Sequence, residues 1–244
     1  MLEQYFHQIK QLLQEIQQDQ GETLKTVANK IVNTLEKDGI IHLFGAGHSH
    51  VLGEEAFYRA GGLVPVKPIF EESLMLHEGA VRSSTFERKN DYAEQFISKA
   101  DIRPEDIVFV ISTSGRNPVP IDVALYAKKQ GAFVVGITSL EYSQSQPSRH
   151  KSGKHLFNTV DVVIDNRSVK GDAVLTHDKV DVPFTPTSTV IGASILNGIL
   201  SEAIVMIAEK GGTPPIFLSG NIDGADGHNE KLIAKYKERI PLLS

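Results

Sequence analysis

The sequence predicts an α/β fold: a parallel sheet with helices on both faces, preceded by an N-terminal helical hairpin. Three observations predict it. Five short apolar runs recur along the chain, with helix-like segments between most of them. The first and third runs end in loops of small residues. Two segments of helical periodicity come before the first run. Short continuous apolar runs that alternate with helices mark strands covered on both faces.

Residues 2–18 carry Leu2, Phe6, Ile9, Leu13 and Ile16 at helical spacing. A second helix follows Gly21, with Leu24, Val27, Ile31, Val32 and Leu35, and stops near Gly39. Residues 1–38 are therefore expected to form a hairpin that covers the core or a partner subunit, ahead of one domain over 39–244. The expected strands are Ile40–Phe44, Val64–Phe70, Ile107–Ile111, Phe133–Ile137 and Val160–Ile164. Pro65 and Pro68 place the second at a sheet edge. Helices are expected over about 50–60, 90–99 and 118–130. Residues 139–158 and 165–186 are polar and irregular and read as loops. A long helix over roughly 188–209 follows Pro186. It is apolar nearly all round, through Val190, Ile191, Ile195, Leu196, Ile199, Leu200, Ile204, Met206 and Ile207, so it is expected to be buried, in the core or a subunit interface.

Composition narrows the function classes. The chain has 244 residues, 41% hydrophobic and 23% charged, which suits one sizeable globular domain with additions. Its net charge is -5, and no basic run exceeds pairs such as Lys128-Lys129, so no nucleic-acid partner is expected. There is no cysteine, hence no disulfide, thiolate nucleophile or cysteine metal site. The chain opens Met1-Leu2-Glu3-Gln4 without the basic and apolar segments of a secretory signal. No apolar run approaches the length needed to span a membrane. A cytoplasmic protein with no membrane partner is the expectation.

Two loops carry the chemistry. The first strand runs into Gly45-Ala46-Gly47-His48-Ser49-His50. Glycines let backbone approach a ligand, and the helix that follows offers N–H groups to an anion. A dinucleotide turn would want glycine where His50 stands, although Glu71 and Glu72 lie where a ribose-binding acid would sit. The third strand runs into Ser112-Thr113-Ser114-Gly115-Arg116-Asn117, with a helix starting near Pro118. One such loop would read as an ordinary cap. Two hydroxyl-bearing loops at strand ends, where parallel sheets bind ligands, point to a phosphate pocket.

These paired loops resemble the G-x-G-x-S and S-x-S-G-x-[TN] loops of the SIS (sugar isomerase) phosphosugar-binding domain, over about residues 25–210. The resemblance implies a five-stranded parallel sheet of flavodoxin-like type. It implies a phosphosugar site built from Gly47, Ser49, Ser112, Thr113, Ser114, Gly115 and Asn117. Thr187, Ser188 and Thr189 match the family's hydroxyl-rich start to the late helix. The segment Asn221-Ile222-Asp223-Gly224-Ala225-Asp226-Gly227-His228-Asn229-Glu230-Lys231-Leu232 is similar to the C-terminal part of N-acetylmuramate 6-phosphate etherases. The chain as a whole most resembles an SIS subgroup named for phosphoheptose isomerisation, whose relatives form homodimers or larger homo-oligomers. It departs from the family at one position. The isomerases and etherases carry a glutamate about ten residues after the first-loop serine, and here Arg59 stands there, with Glu54 and Glu55 one turn earlier.

The implied activity is isomerisation of an aldose or ketose phosphate. The alternatives are etherase-like elimination or dehydration of an amino-sugar phosphate, and a non-catalytic sugar-phosphate sensor. Isomerisation and elimination both begin by removing the proton next to the carbonyl, which needs a base and an acid. The candidates are Glu78, Glu202, His48 and His228. Glu87 reads as an ordinary loop charge, and Glu202 sits beside a polar stripe of Ser194, Asn197 and Ser201. His48 and His50 have no third ligand at a telling spacing, so neither a metal nor a cofactor is expected.

Overall fold

The computed structural model describes residues Met1–Ser244. Fourteen regular elements follow one another: α1 (Leu2–Leu35), β1 (Ile41–Gly45), α2 (Val51–Ala56), β2 (Val66–Pro68), α3 (Ala80–Glu87), β3 (Ile107–Ile111), α4 (Pro118–Lys129), β4 (Phe133–Thr138), α5 (Leu140–Gln144), β5 (Val162–Asp165), β6 (Leu175–His177), β7 (Val180–Phe184), α6 (Ser188–Glu209) and α7 (Ala225–Tyr236). The first five strands form one parallel sheet in the order β2-β1-β3-β4-β5. The proline-bearing strand takes an edge, as Pro65 and Pro68 require.

Alternation along the strands builds two cores. Leu43, Phe109, Val135 and Ile164 point to one face, where they meet Val27 and Ile31 of α1 and Ile191, Ile195 and Leu196 of α6. Phe44, Val108, Val110 and Val134 point to the other, against Val119, Ile121 and Ala124 of α4. Each such side chain contributes about 1.5–3 kcal/mol by leaving water. A third cluster joins Ile40 and Val64 to Phe217, Tyr236 and Ile240 around α7.

Several expectations need correction. The N-terminal segment is a single 34-residue helix rather than a hairpin. Gly21 costs a helix only about 1 kcal/mol, and no proline accompanies it. Ile9, Ile16, Val27 and Ile31 then lie in the same core cluster as the sheet and α6. The helix expected over 90–99 is two 3-10 turns, Tyr92–Gln95 and Ile97–Ala100, that break at Phe96 and are bounded by Asp91 and Asp101, both at positive φ. Its apolar spacing still buries Tyr92, Phe96 and Ile97. The stretch expected as loop over 165–186 contains the β6–β7 hairpin. Helix α6 is long and apolar enough to cross a membrane by length and composition, with a mean hydropathy of 1.9 over its most apolar window. Core helices pass that test too, and Ile191, Ile195, Leu196 and Ile199 of α6 are buried against the sheet and α1. Its other side is not buried: Val190 and Val205 are exposed.

A charged cluster lies at the amino ends of the central strands. Asp106 accepts hydrogen bonds from the Ile40 and Arg103 N–H groups at 2.8 Å each, from His42 Nε2 at 3.1 Å and from Arg239 Nη2 at 2.8 Å. It fastens the segment after α7 to the sheet, on the edge opposite the loops described next.

Candidate functional site

The site stands at the carboxyl ends of β1 and β3, where the connections leave the sheet in opposite directions. Gly45 makes the first loop possible. A Cβ there would lie 2.4 Å from the Ser49 carbonyl, so only glycine lets Ser49 fold back over the strand end. Gly47 takes φ +57, and the 3-10 turn Gly47–His50 runs into α2. His48 is exposed and Ser49 half-buried. His50 is buried, with Nδ1 on the Gly47 carbonyl and Nε2 3.5 Å from Glu54. It is a brace for the turn.

The second loop is held by its neighbours' hydroxyls. The Thr113 carbonyl accepts from the Ser139 N–H at 3.0 Å and from Thr138 Oγ1 at 3.3 Å, and the Ser114 carbonyl from Ser143 Oγ at 2.8 Å. Gly115, at φ +57, is also required. A Cβ would stand 2.5 Å from Ser143 Oγ and 2.7 Å from Thr138 Oγ1. Asn117 is the N-cap of α4 in extended conformation, but its side chain caps nothing. Its Oδ1 instead accepts from Arg149 Nη1 at 2.9 Å.

His48, Ser49, Thr113, Ser188 and Thr189 line one narrow cleft, joined by Asn166. Three of the segments singled out in the sequence thus meet at one cleft, but their donors are unequally free. Thr113 Oγ1 accepts from Asn166 Nδ2 at 3.2 Å. The Asp172 carboxylate sits on the start of α6. It accepts from the Thr187 and Ser188 N–H groups at 3.0 and 3.1 Å, from Thr187 Oγ1 at 3.2 Å and from Ser188 Oγ at 2.5 Å. Thr187 and Ser188 are thereby engaged with the chain's own carboxylate. The cleft holds only about 10 Å³, so an anion would rest at its mouth rather than inside it.

The acid–base candidates separate. Glu78 closes a 3-10 turn, Leu76–Glu78, whose Leu76 side chain packs beside Gly47 of the first loop. His77 Nε2 lies 3.8 Å from Glu78, and its ring centroid 6.5 Å from that of His50. Glu78 and His48 are therefore on the first-loop side of the site. Glu202 is on α6 roughly four turns, about 20 Å, from Ser188. It is half-buried rather than buried, and within one chain it is remote from the loops. His228 is on α7, with Nε2 2.8 Å from the Ile216 carbonyl, and Asn229 clasps the Leu218 backbone through both amide atoms. Asn229, but not His228, lines a separate pocket of about 330 Å³ beside Tyr58 and Phe217. Arg59, at the family's glutamate position, pairs with Glu55 at 2.7 Å.

Glu87 was read as an ordinary loop charge, and the structure gives it more. It ends α3 half-buried, and burial pushes its carboxyl up, against the lowering effects of the Asn117 amide, Arg88 and Arg149. Asn166, Asp172 and Arg149 were missed because they sit in segments with no periodicity. The one local cue was Gly171 before Asp172, a turn signal.

The segment 146–155 is fastened over the second loop. The Arg149 N–H donates to the Arg116 carbonyl at 2.9 Å, Arg116 Nε to the Pro147 carbonyl at 3.0 Å, and the Leu156 N–H to the Gly115 carbonyl at 2.8 Å. His150 lies between Asp122, 2.8 Å from Nε2, and Ser152 Oγ, 2.6 Å from Nδ1. That order of groups resembles a nucleophile relay. Nδ1 also accepts the Ser152 N–H at 3.1 Å, which closes a tight turn and makes the trio a latch.

The sequence profile of the SIS domain matches residues 4–139, from α1 through β4. A UPF0309 protein of Halalkalibacterium halodurans is 62% identical over 244 residues, which is 100% of this chain and 98% of that protein. A UPF0309 protein of Geobacillus thermodenitrificans is 63% identical over 243 residues, with the same coverage. Among solved structures, the phosphoheptose isomerase from Neisseria gonorrhoeae superposes with a TM-score of 0.53 at 15% identity, covering 85% of this chain and 97% of that one. One from Francisella tularensis gives 0.53 at 16% identity, covering 83% and 95%. At such identities the likeness speaks for the fold.

Proposed function

The chain belongs to the SIS-domain family, and from that premise we propose that it binds a sugar phosphate across the carboxyl ends of β1 and β3 and isomerises it between aldose and ketose. The observation that carries this reading is the meeting of Ser49, Thr113 and Thr189, from three separate segments, around one cleft at the point where the sheet's connections diverge. Glycines at positions 45 and 115, which no other residue could replace without displacing neighbours, hold the two loops in that arrangement.

With the phosphate at the second loop, the carbonyl end of the sugar extends toward the first. There we assign Glu78 as the base that takes the C2 proton and returns it to C1. We assign His48 as the group that moves a proton between O1 and O2. The carboxylate begins and ends the cycle ionised, so no co-reactant is required. A homodimer, in which the exposed row of α6 through Val190 and Val205 is covered, fits the same reading.

Incubation with a panel of sugar phosphates in D₂O, with the C2 proton followed by NMR, tests it beside a Ser114→Ala control. Exchange that the control loses, with interconversion of aldose and ketose, supports the reading. Loss of water or of an ether substituent would transfer the protein to elimination chemistry. Binding without exchange would make it a sensor.

A further inference from the structure

The segment after α6 builds a second concavity, which shares no lining residue with the cleft between the loops. Its backbone is laced to the segment after α2. The Gly61 N–H donates to the Phe217 carbonyl at 2.8 Å, the Phe217 N–H to the Gly62 carbonyl at 3.0 Å and the Val64 N–H to the Pro215 carbonyl at 2.9 Å. Asn229 of α7 closes the other side through its bonds to the Leu218 N–H and carbonyl, at 3.0 and 2.9 Å. Between these fixed walls lies the cavity of about 330 Å³, a size that takes a small molecule.

Two rings and two carboxylates decide what it can hold. Tyr58 and Phe217 meet edge to face at 5.0 Å, and both line the cavity. Phe217 is buried, whereas Tyr58 is left 59% exposed. Asp226 and Glu230 line the same cavity from α7. At positions i and i+4 they share one helix face, with Cβ atoms about 5–6 Å apart. No lysine or arginine stands three or four residues from either along the helix, and none lines the cavity. The helix start accounts for Asp226, which lies in the first turn, where an acid complements the dipole. It does not account for Glu230, one turn further on, where the dipole has fallen off and Asp226 repels. The ring face of a tyrosine attracts a cation, and carboxylates accept its N–H groups in charge-assisted bonds. A neutral guest would cover both charges and compensate neither. An anion would be repelled, so this is not another phosphate site.

We propose that the cavity beside Tyr58 binds a short aliphatic diamine, with one ammonium on Asp226, the other on Glu230 and the chain between them against the Tyr58 ring. The two carboxylates then have the counter-charge that the chain itself does not supply. The proposal stands apart from the phosphosugar reading, since it uses neither loop.

The test is titration of the full chain at low salt, followed by backbone amide NMR, with putrescine, with butylamine (a single ammonium) and with butanediol (none). Putrescine should shift the amides of Tyr58, Phe217 and the first turns of α7, butanediol should not, and added salt should weaken the effect. Putrescine should bind about fivefold more tightly than butylamine, the upper end of what one exposed ion pair contributes. Glu230→Gln and Asp226→Asn should each raise the putrescine Kd about fivefold, to near that of butylamine. Tyr58→Leu keeps both charges and should weaken both amines alike. Glu3→Gln removes the same charge from the first turn of α1 and should leave the Kd within twofold. Thermal melts confirm that each variant is folded, and the Glu230 and Asp226 variants test the site separately if the Tyr58 variant is not. No binding of putrescine by the wild type, or wild-type affinity in both carboxylate variants, overturns the proposal. Equal affinity for putrescine and butylamine overturns the two-point contact and with it the diamine.

Discussion

His150 Nε2 lies 2.8 Å from a carboxylate oxygen of Asp122, and this one contact ties the segment over the second loop to the helix that the loop begins. The pair is nearly closed to solvent, with His150 at 3% and Asp122 at 14% side-chain exposure. Asp122 also accepts the Asp91 N–H at 3.1 Å. Asp122→Ala leaves a buried imidazole N–H without a partner, at a cost of about 1–3 kcal/mol. The segment 146–155 should become the first site of limited proteolysis. Phosphate affinity should fall several-fold although Asp122 touches no ligand, while His150→Ala gives the same result without adding to it in the double variant.

Glu87→Gln should tighten phosphate binding. Burial pushes the Glu87 carboxyl above its ordinary value of 4.5, so at neutral pH the folded chain carries an ionised group that it would rather hold neutral. A raised folded value means that this destabilisation is present above that value and vanishes below 4.5, where the unfolded chain is protonated too. The variant should therefore melt a few degrees higher at pH 7 and match the wild type near pH 4. Wild-type phosphate affinity should rise as pH falls through the raised value, and the variant should lack that component. A variant that binds phosphate more weakly at pH 7 would mean that Glu87 supports the site rather than competes with the ligand.

Much of this was legible in the sequence because the signal was periodic. Ile107–Ile111 is a strand on the residues expected, since five consecutive apolar residues between turns admit little else. The two glycine-bearing loops were legible for the same local reason. The break at Gly21 was not a break, because long-range packing of Ile16 and Val27 on the sheet outweighs one glycine. The role of Thr187 and Ser188 could not be read locally. It depends on Asp172, which lies fifteen residues from Thr187 and reaches the helix start through a left-handed φ of 51. Arg149 was equally hidden, since only the fold brings its segment onto Arg116 and Asn117.

Asp172→Ala should show whether that carboxylate is a cap or a gate. Removing it leaves two N–H groups and two hydroxyls at the start of α6 without their acceptor, and losing a cap of this kind costs about 0.5–2 kcal/mol. The helix start then becomes an open anion site. Added inorganic phosphate should raise the melting temperature of the variant by more than that of the wild type, recovering part of the loss. Equal shifts in both proteins would mean that Asp172 is a structural cap that no phosphate replaces.

The cluster at the opposite edge should govern acid stability. Burial lowers the pKa of His42 below its ordinary 6.5, and the Asp106 carboxylate opposes this without reversing it. Because a carboxylate only accepts, the histidine proton sits on Nε2. Nδ1, which has no partner, presents a lone pair rather than an unpaired N–H. Burial alone would raise Asp106. The bonds from His42 and the Ile40 N–H outweigh it and hold the carboxyl below 3.8. The signs follow from which state takes up protons. Between 6.5 and the lowered His42 value the unfolded chain binds the proton that the folded chain refuses, so stability falls on acidification. The Asp106 contribution is intact above 3.8 and disappears as pH drops through its depressed value. Urea melts from pH 7 to 3 should therefore slope downward from about 6.5 in the wild type and be flatter in His42→Gln. Asp106→Asn breaks a buried pair and takes from Arg239 the most buried of its three carboxylate partners, leaving Asp101 and Glu105, which costs up to about 3–5 kcal/mol. Its gap from wild type should stay constant from pH 7 to about 4 and close only below 3.8. A gap that closes near pH 6 instead would place the titrating group on His42 and assign the carboxylate's stabilisation to an imidazolium that forms in the folded chain.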